Sequence, residues 1–138
     1  AQTDAATLTD AIAKGGANIF RNIYRKEIYN REATAKTIVE GFEEFIKNAR
    51  EEDVFVFYYA GHGSVYQDET GREEYFLCPT DVTKLYGSEQ ILRDKGISAE
   101  RMKDLCQSVR AQKQLILLDA CHSGAATKAF STRGAGEE

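Results

Sequence analysis

Residues Gln114–Gly124 read QLILLDACHSG. The apolar run from Leu115 to Leu118 breaks off into Asp119, Ala120, Cys121, His122, Ser123 and Gly124. Such a run suits a strand buried in a parallel sheet and is too short for an independent helix. Reactive side chains crowd its carboxyl end, where open α/β sheets place their active sites. A second stretch, Asp53–Ala60 (DVFVFYYA), repeats the design and runs into Gly61, His62, Gly63 and Ser64. Two central strands are therefore expected to deliver a thiol and an imidazole to one edge of a sheet.

Working outward, Thr3 to Ala13 predicts a helix capped by Thr3 or Asp4, with Ala5, Leu8 and Ile12 as its stripe. Phe20 to Tyr24 predicts a broken or edge strand. Ala33 to Ala49 is the clearest helix, with Ile38, Phe42, Phe45 and Ile46 on one face and Thr34 as cap. A hairpin is expected from Tyr66 to Cys78, turning at Thr70-Gly71 and stopped by Pro79. Asp81 to Gly96 shows no convincing period and is expected as loop. Ser98 caps a helix facing inward through Met102, Leu105, Cys106 and Val109. From Ala125 the apolar rhythm is lost. The alternation of helices and strands predicts parallel strands with helical crossovers in one α/β domain over residues 1–138.

Composition narrows the function classes. The 138 residues suffice for one domain, and 42% hydrophobic with 29% charged content is ordinary for a globular chain. Net charge is -4 and the basic residues are scattered, which argues against nucleic acid as the ligand. No stretch is long and apolar enough to cross a bilayer, and the first residues lack the pattern of a signal peptide. Cys78, Cys106 and Cys121 are odd in number and lack metal-site spacing, fitting a reducing compartment such as the cytoplasm.

The chemistry follows from the two strand ends. A cysteine becomes a nucleophile when positive charge, backbone N–H groups or a base favour its thiolate. Cys121 and His62 suit those roles, and the N–H groups of Gly63 and Cys121 could face a developing oxyanion. The competing reading makes Cys121 a small core hydrophobe and His62 a turn residue. His122 adjoins the cysteine, so its side chain is expected to point elsewhere. Cys78 and Cys106 are expected to pack. Asp119 is either an anchor for nearby loops or the floor of a substrate pocket.

YYAGHGS at Tyr58–Ser64 and LLDACHSG at Leu117–Gly124 resemble the catalytic large subunit of caspase-like peptidases, in particular metacaspases and bacterial caspase homologues. TDAATLTDAI (3–12), NREATAKTI (30–38) and YFLCPTD (75–81) resemble further segments of that family, so the likeness covers nearly the whole chain. It implies a three-layer sandwich, a mostly parallel sheet with helices on both faces. The first strand is expected before Ala1 and the last two after Glu138, in another fragment or a cleaved small subunit. It also implies a cysteine endopeptidase with a His62–Cys121 dyad, an oxyanion hole at Gly63 and Cys121, and a protein or peptide as substrate.

In metacaspases, the acid two residues before the nucleophile and another in the first helix line a pocket for a basic P1 side chain, the residue preceding the cut. These positions are Asp119 and Asp4. Many metacaspases carry an acid seven residues after the cysteine for calcium; Lys128 stands there, which puts a calcium requirement in doubt, and no other cofactor is expected. Arg133, in the tail FSTRGAGEE, is either a self-processing site or an ordinary solubilising residue. The alternative function is a caspase-like binding or assembly module whose catalysis is absent or depends on a partner. Another amidase using a Cys-His pair is a third. Regulatory domains or an activator are expected partners, and a membrane is not.

Overall fold

Strands β1 (Val54–Ala60) and β5 (Lys113–Asp119) lie side by side and parallel, in register from Val54 opposite Lys113 to Ala60 opposite Asp119. The computed structural model describes residues 2–83 and 88–131, without the side chains of 127–129 and 131. Alternation along a strand sends successive side chains to opposite faces. Phe55, Phe57 and Tyr59 therefore share a face with Ile116 and Leu118, while Val56 and Tyr58 share the other with Leu115, Leu117 and Asp119.

The first face is the core. Helix α2 (Ala35–Asn48) stacks Phe42 on Phe55 and Phe57, with ring centroids 5.7 and 5.0 Å apart, and Phe45 on Phe55 at 5.5 Å. These tilted contacts lie within the favoured range for aromatic pairs. Helix α4 (Ala99–Ser108) brings buried Met102 and Cys106 into the same cluster. Both helices start where the sequence predicts. Thr34 accepts from the Thr37 N–H in a capping box, and Ser98 accepts from the Arg101 N–H.

Helix α1 (Gln2–Gly16) lies on the opposite face, close enough for Asp4 to act on the Tyr58 phenol. Thr3 and Asp4 are inside its first turn rather than at its cap, because the helix begins at Gln2. Helices thus flank both faces of a parallel sheet, the expected α/β arrangement.

The polar excursion after β1 is a second, antiparallel sheet of β2 (His62–Gln67), β3 (Glu73–Cys78) and the short β4 (Ile97–Ser98). The hairpin is longer than expected, since its first arm begins at His62 and not Tyr66. Its turn falls where predicted: Asp68 Oδ1 accepts from the Thr70 and Arg72 N–H groups, and Gly71 takes φ +84°, open to glycine at no steric cost.

Three further expectations fail. Phe20 to Tyr24 is not a strand; the segment pairs with no ladder and leaves Phe20, Ile23 and Tyr24 exposed. Residues 89–95, read as loop, form helix α3 (Glu89–Lys95), capped by Ser88 and buried through Leu92. Beyond β5, helix α5 (Ser123–Ser131) replaces the expected irregular tail and buries Ala126.

Candidate active site

The site starts from the pairing of Ala60 with Asp119 at the carboxyl ends of the two parallel strands. His62 and Cys121 each follow two residues later, so the two loops leave neighbouring strands in the same direction. The Gly61 N–H donates to the Asp119 carbonyl at 3.1 Å, extending the ladder one step into the loops. Both His62 and Cys121 are exposed.

Gly63 is in close approach to the cysteine loop. A Cβ at that position would lie 2.7 Å from the Cys121 carbonyl oxygen and 2.1 Å from the Tyr75 hydroxyl, so no larger residue fits without a shift. The structure thus brings Gly63 and Cys121 together.

Two tyrosines brace these loops from beneath. The Tyr59 hydroxyl reaches the carbonyls of His62 and Cys78, at 2.9 and 3.0 Å. The Tyr75 hydroxyl donates to the Cys121 carbonyl at 3.2 Å. Burial, the largest cause, pushes both phenols up, that of Tyr75 to about 12, so each remains protonated and able to donate at neutral pH. Neither was singled out in the sequence; only their positions in strands flanking the motifs could have pointed to them.

Asp119 and Asp4 both act on Tyr58, which shares the α1 face of the sheet with Asp119. Desolvation, the largest cause, raises its phenol, and the negative charges of Asp119 and then Asp4 raise it further. Tyr58 escaped the sequence reading although it shares Asp119's face by parity. Both carboxylates are exposed, so a cation between them feels solvent-weakened attraction until something covers the pair. His122 is exposed and takes φ +57°, a left-handed conformation. Lys128's side chain and Arg133 lie outside the described residues. Among the described residues no group of three or more His, Cys, Asp and Glu converges to hold a metal, and no helix is long and apolar enough to cross a membrane.

A cleft of about 260 Å³ lined by Tyr66, Asp68, Arg72, Glu74, Arg93 and Glu100 lies at the tip of the hairpin, the far end from His62. Its charges are already paired, Arg72 with Glu100 and Arg93 with Glu74.

The three thiols differ sharply. Burial pushes Cys78 and Cys106 up to about 11, whereas Cys121 is exposed. Brief treatment of the folded protein with iodoacetamide at pH 8 should therefore modify Cys121 and spare the other two. Peptide mapping by mass spectrometry reads this directly, and equal modification of Cys78 would contradict its burial.

A thiol and an imidazole thus stand two residues beyond the ends of adjacent parallel strands in an α/β sheet. The family profile described as "Metacaspase, peptidase C14 domain" matches residues 9–129. The chain belongs to that family of cysteine peptidases. It is 31% identical over 108 residues to a metacaspase-1 from Debaryomyces hansenii, covering 76% of this chain and 24% of the relative. A metacaspase-1 from Meyerozyma guilliermondii is 28% identical over 116 residues, 79% of this chain and 27% of the relative. A probable protease from a Desulfuromonadales bacterium is 30% identical over 96 residues, 66% of this chain and 10% of the relative. The chain spans about a quarter or less of the length of these relatives.

Proposed function

We propose that this chain carries the catalytic centre of a cysteine endopeptidase that cleaves after Arg or Lys. The register of β1 with β5 is the observation that carries the reading, because it sets His62 and Cys121 two residues beyond a paired strand end. In the reaction His62 takes the Cys121 proton and Sγ attacks the carbonyl carbon of the scissile bond. The N–H groups of Gly63 and Cys121 receive the tetrahedral oxyanion. Collapse breaks the C–N bond, His62 protonates the leaving amine, and a thioester remains on Cys121. Water, deprotonated by His62, then attacks the thioester and releases the acid, returning the proton to the dyad.

Asp119 and Asp4 receive the basic P1 side chain, with Tyr58 orienting Asp119. Among the described residues, the outer edges of β1 and β5 have no partner strand. This supports completion of the sheet by a further fragment, the small-subunit partner of the family. A fluorogenic peptide with Arg at P1, compared with its Asp-P1 counterpart, tests the function. Turnover of neither peptide by a folded protein, with the sheet-completing segments present, would instead favour a binding or assembly module.

On this reading the enzyme does not depend on calcium. The position that carries an acid in many metacaspases is Lys128, and an ammonium group repels a cation where a carboxylate would hold it. Excess EGTA is expected to leave kcat/KM within about twofold, estimated from the absence of a competent oxygen donor there. A fall of tenfold or more, reversed by added calcium, would refute it.

A further inference from the structure

We propose that Tyr75 is a positioning residue for the nucleophile, holding the Cys121 carbonyl so that the thiol stays in line with His62; this rests on Cys121 being the nucleophile. Cys121 sits between two anchored carbonyls. On one side the Asp119 carbonyl accepts from the Gly61 N–H at 3.1 Å, and on the other the Cys121 carbonyl accepts from the Tyr75 hydroxyl at 3.2 Å. The first anchor ties the cysteine loop to the segment carrying His62 through Gly61, and the second ties it to β3, whose phenol passes Gly63 where the missing side chain leaves room.

The second anchor also opposes a backbone cost. The Tyr75 bond fixes the peptide between Cys121 and His122, and His122 follows at φ +57°. A residue with a Cβ is disfavoured there, whereas glycine takes that region about as readily as the right-handed one. Without the phenol, the Cys121 carbonyl loses its side-chain partner, and the left-handed His122 is held only by the turn's own bonds, from the Ser123 N–H to the Ala120 carbonyl at 3.3 Å and from the Ala125 N–H to the His122 carbonyl at 2.8 Å. Tyr75 is only 3% exposed and packs in the main core, so its ring is held and its hydroxyl has little freedom to aim elsewhere. Its phenol stays protonated at working pH because burial raises it.

Tyr75→Phe keeps the ring and deletes the anchor. Misplacement of reacting groups by about 1 Å costs on the order of a hundredfold, and partial misplacement less, so a drop of about tenfold in kcat is expected with KM within about twofold. Iodoacetamide labelling of Cys121, which needs only an exposed thiol, should stay within about twofold. The decisive arm is the double variant. His122→Gly should restore at least about threefold of the lost kcat in the Tyr75→Phe background, because glycine removes the bias against the productive backbone. The same change in the wild type should alter kcat by less than about twofold, since Tyr75 already holds that backbone.

Should Tyr75→Phe show no native thermal transition, biosynthetic replacement of Tyr75 by 4-fluorophenylalanine is the second arm. It keeps the ring and its para substituent but cannot donate to the Cys121 carbonyl, and the same recovery by His122→Gly is expected. A Tyr75→Phe enzyme with wild-type kcat overturns the proposal, and so does a loss that His122→Gly leaves unrelieved, which would make Tyr75 a packing residue only. A folded wild-type protein without turnover, with the sheet-completing segments present, defeats the peptidase reading itself and the positioning role with it.

Discussion

Cys121→Ala should reduce peptide hydrolysis to background, and His62→Ala should lower kcat by roughly a hundred- to ten-thousandfold, the span expected for losing a general acid-base. His122→Ala should keep a substantial part of the activity. The two histidines lie close in motif but differ in what precedes them. His62 is two residues beyond Ala60, whose partner Asp119 stands two residues before Cys121. His122 is tied to the cysteine by one peptide bond and leaves it in a left-handed turn. Single-turnover and steady-state kinetics on all three variants, with thermal melts as fold controls, decide the assignment. A His122→Ala enzyme as impaired in kcat as His62→Ala, and equally well folded, would transfer the base to His122.

Asp119→Asn should lower kcat/KM for an Arg-P1 peptide by about ten- to a hundredfold, the equivalent of roughly 1.5–3 kcal/mol for a hydrogen bond to a charged group. The effect is set below that of a fully buried ion pair because Asp119 and Asp4 are both exposed before substrate covers them. For the same reason kcat/KM on Arg-P1 peptides should fall as salt rises. Arg should be preferred to Lys, since a planar guanidinium can meet both carboxylates. A positional-scanning peptide library with wild type and variant measures each point. Preference for Asp or a large apolar residue at P1 would remove the acidic pocket from the account, even for an active peptidase.

The strands and helices that anchor this site were legible because several signals agreed in each. β1 and β5 combine an apolar run with an abrupt polar end, and α2 and α4 combine a capping hydroxyl with a periodic face. The failures share a different cause. Phe20 to Tyr24 has the aromatic and branched residues of a strand, but a strand exists only through a neighbour's hydrogen bonds, which one segment cannot disclose. α3 is seven residues long and buries Leu92 alone, too little for a period to register. α5 opens on Ser123, Gly124 and Ala125, whose small side chains leave almost no apolar pattern.

At the site, Cys121, His62 and Asp119 could be singled out from their places at strand ends, while Asp4 came from family likeness alone. Tyr58 and Tyr75 could not be singled out. Each looks like an ordinary strand aromatic, and only the fold reveals which phenol feels the charges of two carboxylates and which donates to a carbonyl.

The parallel ladder between β1 and β5 bears on length more than on composition. One residue added or removed within either strand shifts everything beyond it by about 3.3 Å and turns side chains to the opposite face. His62 and Cys121 would fall out of step, and Asp119 would leave the face it shares with Tyr58. Point changes in these strands can be absorbed by repacking, but insertions and deletions cannot. The Asp68–Arg72 turn, five strand residues from His62, has no such constraint. Lineages descended from this chain should therefore vary freely in the length of the hairpin tip while keeping the two strands fixed to the residue.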